Sequence, residues 1–277
     1  MDVLVPATLE EALELRRARP EAVPVAGGTD LFVEVNSRRC RPPALLDLSR
    51  VEELKEWRLA DGVVRLGAGV TFARIADELT AFPPLVAAAR SVGSVQIRNR
   101  ATVGGNLATA SPAGDSLPVL AAYDAKVELA AAGGRRRLLP LDAFLLGPKR
   151  TRLAHDELIS AVEWTAVTGH GSFAKIGRRN AMVIAVASAC LQLDEERHEV
   201  RLALGSVAPT VVRARRAEEF AEGLDWSDVD AAPEWFGQLA AADTRPIDDL
   251  RGTAAYRRLA ARVLASRALS VALEARC

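Results

Sequence analysis

Residues 102–118 read TVGGNLATASPAGDSLP. These seventeen positions hold three glycines, two prolines and one charge, Asp115. Glycine forfeits chain entropy and packs no side chain, so this is the writing of a bend that leaves room for something, not of a packed helix or strand. A second bend, AGGTDL (26–31), has the same plan: a glycine pair following a short apolar run, AVPV (22–25). Without Cβ atoms, successive backbone N–H groups can turn inward as a nest and approach an anion closely. One such bend suits a single phosphate, and two from separate segments suit a diphosphate. A Gly-Gly pair is also the ordinary way to reverse a chain. Gly133 and Gly134, between the alternating runs AKVELAA and RRRLLPL (125–141), read as a hairpin of that kind.

Outward from these bends the chain mixes helices and strands without strict alternation. Thr8 and Glu11 form a capping-box signature ahead of a helix. ALLDLS (44–49), DGVVRLGAGVT (61–71) and DELISAVEWTA (156–166) read as strands; FARIADEL (72–79) and LVAAARSVG (85–93) read as helices. TGHGS (168–172) reads as a linker. After it, SFAKIGR, VIAVASACLQLD and EVRLALGSVAP predict a three-stranded antiparallel sheet. The closing helix, 251–275, places Tyr256, Leu259, Val263 and Val271 on one face. The pattern argues α+β, not a doubly wound sheet.

Composition excludes more than it selects. The 277 residues are 49% hydrophobic and 26% charged, enough for a true core, and 36 basic residues balance 36 acidic ones. No net field recommends nucleic acid or an anionic membrane as a partner. No apolar run is long enough to span a bilayer, and the N-terminus lacks a signal-peptide pattern, so a cytoplasmic location is expected. Cys40, Cys190 and Cys277 are scattered and cannot supply the thiolates of an iron–sulfur cluster. His155, His170 and His198 show no ligand spacing, so no metal site is expected. Gly67-Ala68-Gly69 opens like a dinucleotide fingerprint, but Phe72 stands where its third glycine belongs, and no P-loop is present.

Three stretches, AGGTDL, QIRNRATVGGNLATASPAGD (96–115) and KIGRRNAMVIAVA (175–187), resemble the FAD-binding medium subunits of the xanthine dehydrogenase and carbon monoxide dehydrogenase type of molybdenum hydroxylases. The ending IDDLRGTAAYRRLAARVLASRAL (247–269) resembles their C-terminal domain, and the likeness runs nearly end to end, nearest to the bacterial xanthine dehydrogenases. The resemblance implies a two-lobed FAD-binding domain of the vanillyl-alcohol-oxidase-like (PCMH) type over 1–167, with lobes of about 1–55 and 56–167. A C-terminal domain over 172–277 follows. It implies FAD between the lobes, held non-covalently because neither bend carries a histidine.

Carried over residue by residue, Ala26, Gly27, Gly28, Thr29, Asp30 and Leu31 would form the first cofactor loop. Thr102, Val103, Gly104, Gly105 and Asn106 would form the second. Asp115 would accept hydrogen bonds from FAD, Leu158 would neighbour the isoalloxazine, and Lys175 would lie beside the flavin and tune its potential. Read without the resemblance, Asp115 is a helix N-cap and Lys175 a surface charge. Asp30 is expected to cap the helix that follows it, since a carboxylate aimed at a diphosphate would be repelled. Arg178 and Arg179 read as interface or surface charges, and 135–137 as a solvated hairpin.

The implied role is electron transfer. Electrons would pass from [2Fe–2S] clusters of a small subunit through FAD to NAD+, while a large molybdopterin subunit oxidises the substrate. The expected assembly is a dimer of heterotrimers. The alternatives are a carbon monoxide dehydrogenase medium subunit, another aldehyde or N-heterocycle hydroxylase with a quinone or other acceptor, and a non-catalytic FAD-binding scaffold.

Overall fold

The computed structural model describes residues 1–226 and 232–275; Cys277 lies outside them. Along the chain the elements begin β1 (Asp2–Leu4), α1 (Leu9–Ala18), β2 (Ala22–Val25), α2 (Leu31–Asn36), β3 (Ala44–Asp47), β4 (Trp57–Ala60) and β5 (Val63–Gly67). Then come α3 (Phe72–Glu78), α4 (Pro83–Ser91), α5 (Val95–Arg98), α6 (Val103–Thr109) and α7 (Ser116–Ala122). Next are β6 (Lys126–Ala131), β7 (Arg135–Pro140), α8 (Leu141–Phe144), β8 (Leu145–Gly147), β9 (Arg150–Thr151) and β10 (Glu157–Thr165). The last are β11 (Gly171–Ile176), β12 (Ala187–Asp194), β13 (Glu199–Gly205), β14 (Val212–Arg213), α9 (Arg215–Glu222), α10 (Ala232–Ala242) and α11 (Ala254–Glu274). They gather into two compact units that interleave along the sequence: residues 1–74, 95–110 and 125–165 form one, and the remaining segments the other.

In the first unit a parallel sheet of order β1-β3-β2 lies under α1. The Thr8 half of the capping box forms as written, Thr8 Oγ1 accepting from the Glu11 N–H at 3.2 Å, while Glu11 Oε2 takes the N–H of Ala7 at 2.7 Å instead of that of Thr8. Leu9, Ala12 and Leu13 of α1 are buried against Ala22, Ala44 and Leu46 of the strands. Beside it runs an antiparallel sheet of order β4-β5-β10-β6-β7. Its outer strand β4 had no expectation in the sequence; all but its first residue are exposed, so the run carries no inward-facing pattern. The hairpin of β6 and β7 turns at Gly133 and Gly134, both at positive φ with open space where a Cβ would sit. Its arginines are exposed as expected, yet each is paired: Arg135 with Asp156, Arg136 with Glu128 and Arg137 with Glu157.

The second unit is built on an antiparallel sheet, β11-β12-β13-β14, in which the three expected strands are joined by a two-residue fourth. Alternation does the sorting. Ala187, Ala189, Leu191 and Leu193 of β12 pack against helices α9 to α11, while α4 and α7 pack on β11, β12 and β13. α11 buries the face opposite to the one that Tyr256, Leu259, Val263 and Val271 share. Ala260, Ala261, Ala265, Ala268 and Ala272 go inward with Leu264 and Leu269, whereas Tyr256, Leu259 and Val271 stay exposed. Small side chains let the helix backbone approach its neighbours; at Gly237 of α10 the Arg262 carbonyl lies 2.5 Å from where a Cβ would stand.

Candidate functional site

The first bend leaves β2 and enters α2. Gly27 passes so close to the chain at 100–101 that a Cβ would lie 2.0 Å from the Arg100 carbonyl oxygen, and Gly28 takes φ +73°. Only glycine meets the first demand, and it meets the second without strain. Among the described residues, no hydrogen bond is made by the backbone N–H groups of Gly27, Gly28, Thr29, Asp30 and Leu31. The chain bonds resume at Phe32, whose N–H donates to Gly28 O at 3.0 Å. Five consecutive donors with no partner in the chain, at a bend opened by two glycines and leading into a helix, can converge on an anion. α2 has only six residues, so these amides, and not a long helix dipole, make the field.

Asp30 does not cap α2: its side chain makes no hydrogen bond to that helix, and its backbone is already helical at φ −95°, ψ −47°. A capping residue needs an extended backbone to swing its oxygen over the first turn. Instead the carboxylate accepts from Thr109 Oγ1 at 3.0 Å.

The second bend differs in a way no local pattern announces. Four of its five amides, those of Val103 to Asn106, are already used. Val103 N–H donates to Val70 O at 3.1 Å, Gly104 N–H to Ala68 O at 2.8 Å and Asn106 N–H to Thr102 O at 3.0 Å. Gly105 N–H donates to the capping hydroxyl of Thr102 at 3.0 Å. Gly104 is small because a Cβ there would stand 2.6 Å from the Ala68 Cβ. The expectation that this bend offers a second set of free backbone donors is therefore corrected: it contributes a close-packed wall.

That wall borders an apolar cavity of about 90 Å3, which Thr102, Gly104 and Gly105 line together with Ala26 and Leu158. Leu158 is 2% exposed and pairs across the sheet with Ala130. A register shift between Ile159 and Ala161 follows at once, and the Ser160 carbonyl accepts from the Ala68 N–H at 3.0 Å. Bulges of this sort re-aim strands beside binding sites.

Asp115 and Lys175 belong to the second unit and are joined there. Lys175 Nζ, on β11, donates to Asp115 Oδ2 at 2.5 Å and to Ser91 O at 3.1 Å, and Ser91 Oγ donates to the same carboxylate oxygen at 3.1 Å. The two side chains are 7% and 9% exposed, so Lys175 is no surface charge. Asp115 stands at the head of α7 without a capping bond, its backbone helical like that of Asp30. Its Oδ1 is buried with no hydrogen-bond partner among the described residues. Burial pushes the Asp115 carboxyl above its ordinary value, against the opposing pull of Lys175 and Ser91. Ser91 and Thr109 were not singled out in the sequence; each is reached only through a partner 24 or more positions away.

Among the described residues no group of three or more His, Cys, Asp or Glu could hold a metal ion, and no helix is long and apolar enough to cross a membrane. Residues 1–164 match the family described as FAD binding domain in molybdopterin dehydrogenase, and 172–272 match the CO dehydrogenase flavoprotein C-terminal domain. The chain is 36% identical over 227 residues to a xanthine dehydrogenase FAD-binding subunit of Escherichia coli O157:H7, covering 78% of this chain and 77% of that protein. It is 32% identical to the nicotine 6-hydroxylase medium subunit of Paenarthrobacter nicotinovorans, over 91% of this chain and 90% of that one. Among solved structures, a carbon monoxide dehydrogenase of Hydrogenophaga pseudoflava superposes with a TM-score of 0.91 at 29% identity, covering 100% of this chain and 98% of that one.

Fold and comparisons together define an FAD-binding oxidoreductase subunit. The chain belongs to the FAD-binding subunits of the molybdenum hydroxylase family. The cofactor fits what the residues offer, because the unclaimed amides of 27–31 suit a diphosphate and the cavity beside them is apolar.

Proposed function

We propose that this chain relays electrons within a xanthine dehydrogenase, from [2Fe–2S] clusters of a small subunit to NAD+, while a large molybdopterin subunit oxidises the substrate. FAD, when bound, supplies the two-electron to one-electron redox chemistry at its flavin ring. The chain's residues bind and orient it. The amides of Gly27, Gly28, Thr29, Asp30 and Leu31 grip the diphosphate; Ala26 with Thr102, Val103, Gly104, Gly105 and Asn106 shapes the wall; Leu158 supplies apolar surface. The resemblance assigns Asp115 and Lys175 to the flavin. A buried ammonium there favours negative charge on the reduced ring, and the unpartnered Asp115 Oδ1 suits a hydroxyl or amide donor. We assign FAD binding to 1–167 and the C-terminal domain to 172–277, in a dimer of heterotrimers working in the cytoplasm.

The observation that carries this reading is the run of five unpaired amides beside an apolar cavity, in a chain of this family. The test is the purified complex assayed for NAD+ reduction with hypoxanthine and with carbon monoxide. Reduction with hypoxanthine alone is expected. A second reading, a carbon monoxide dehydrogenase medium subunit passing electrons to a quinone, draws support from the superposition on the Hydrogenophaga pseudoflava enzyme; turnover with carbon monoxide and a quinone, without NAD+ reduction, would establish it. FAD that no partner subunit reduces would instead mark a scaffold.

A further inference from the structure

Ser91, the last residue of α4, is the point around which the Asp115–Lys175 pair is arranged. Its carbonyl oxygen accepts from Lys175 Nζ at 3.1 Å, and the same ammonium donates to Asp115 Oδ2 at 2.5 Å. Its hydroxyl oxygen stands 3.1 Å from that Oδ2 and 2.8 Å from the carbonyl oxygen of Ala88, one turn back in the helix. A hydroxyl owns one hydrogen and two lone pairs, so it donates to one of these two neighbours at a time. A carbonyl can do nothing but accept. A carboxyl accepts when ionised and can donate when neutral.

Each setting of the hydroxyl therefore suits one form of Asp115. When the carboxyl is ionised, the hydroxyl hydrogen goes to Oδ2, which then takes two donors, Ser91 and Lys175. When it is neutral, its proton sits on Oδ2 and is donated to Ser91 Oγ, while the hydroxyl hydrogen turns to Ala88 O. No heavy atom has to move. Oδ1 stays free in both forms, and it is buried with no hydrogen-bond partner among the described residues. Such an oxygen costs stability unless a ligand brings the donor.

The surroundings leave both forms open. Burial pushes the carboxyl up, and Lys175 of β11 is the charge that pulls it back. Arg90 of α4 is exposed. Arg201 of β13 and Arg213 of β14 pair with Asp124, past the far end of α7. The Cys190 thiol of β12 is pushed well above its usual range by burial and stays neutral.

We propose that Ser91 is a positioning residue whose hydroxyl turns between Ala88 O and Asp115 Oδ2, holding the Asp115 carboxyl in one pose, with Oδ1 free for a donor from the cofactor, in its charged and its neutral form alike. The proposal rests on the assignment of Asp115 to the flavin made above.

The test uses the full chain as wild type, Ser91→Ala and Ser91→Thr. Freed of FAD, each is titrated by carbon-13 NMR of the Asp115 carboxyl. Removing a hydroxyl that solely donates would raise the proton affinity of Asp115 about tenfold, because the charged form alone loses a bond; removing one that solely accepts would lower it about as much. A turning hydroxyl predicts a proton affinity within about twofold of wild type, since the charged form loses one charge-assisted bond and the neutral form two ordinary ones. Ser91→Ala should still lower the urea midpoint on both sides of the titration. It should also weaken FAD binding about fivefold on both sides, and Ser91→Thr should restore midpoint and affinity.

A tenfold change in proton affinity in either direction, an unmoved urea midpoint, or wild-type FAD binding by Ser91→Ala would overturn the proposal. Wild-type FAD binding by Asp115→Asn would overturn the flavin assignment itself, a separate failure, because the proton affinity is read without the cofactor.

Discussion

Asp30 Oδ2 and Thr109 Oγ1 meet at 3.0 Å, tying the first glycine bend to the last turn of α6 across 79 positions of sequence. The bond settles where the negative charge of the bend goes: to a hydroxyl, not over the amides it interrupts. It also fixes the bend in the shape that leaves five amides unclaimed. Thr109→Val should weaken FAD binding about fivefold, the equivalent of one exposed hydrogen bond of about 1 kcal/mol, and Thr109→Ser should restore it. Fluorescence titration of apo-protein checks this; equal affinities in all three would make the bond incidental.

The two glycine bends should fail differently. In Gly28→Val, positive φ and a Cβ within 2.5 Å of the Phe32 ring distort the nest, so flavin absorbance should vanish while circular dichroism persists. Gly104→Ala forces a Cβ onto Ala68, so melting temperature should drop while cooled protein still binds FAD stoichiometrically. The reverse pattern would return the anion to the second bend.

Lys175→Met leaves the Asp115 carboxylate buried without its ion-pair partner, which costs about 3–5 kcal/mol. Asp115→Asn in the same chain should recover most of it. The pH dependence follows from the sign. Burial already holds the Asp115 carboxyl above its ordinary 3.8, so the folded state takes up this proton more readily than the unfolded chain does. The stability this gives is full below the unfolded value and lost as pH rises through the folded one. The Lys175→Met penalty should therefore be largest near neutrality and shrink in acid. Urea denaturation across pH measures it, and a penalty that grows in acid contradicts the account.

Glu128 in the central antiparallel sheet runs the other way. Its burial raises the carboxyl, but hydrogen bonds from Arg65 and Ser160 and the charges of Arg65 and Arg136 outweigh that and leave it below the ordinary 4.5. Such a group stabilises above its unfolded value, and the gain is lost as pH falls through the folded one. Glu128→Gln should cost about 1–3 kcal/mol at neutral pH and nearly nothing once the wild-type carboxyl is protonated. A penalty independent of pH would show that side-chain packing, not charge, is at work.

Much of the fold was legible because its signals are local. The capping box of Thr8 and Glu11, the strand–bend–helix around Gly27 and Gly28 and the hairpin at Gly133 and Gly134 all sit where the sequence puts them. At α11 hydropathy groups the large apolar residues on one face but does not say which face packs; the small alanines on the other side decide it. The second bend looked like the first because glycine pairs advertise freedom from Cβ, not which carbonyls take the amides. Ala68 and Val70 take them, more than thirty positions upstream. Asp115 and Lys175 were legible as residues through the resemblance, but their mutual bond, 60 positions long, was not.

The most direct test of the central claim is the amide spectrum of isotopically labelled apo-protein titrated with FAD. The account predicts large downfield shifts for the N–H groups of Gly27, Gly28 and Thr29 as they take up the diphosphate, with Gly104 and Gly105 moving little because Ala68 O and Thr102 Oγ1 already hold them. Large shifts at Gly104 and Gly105 with a silent first bend would contradict it.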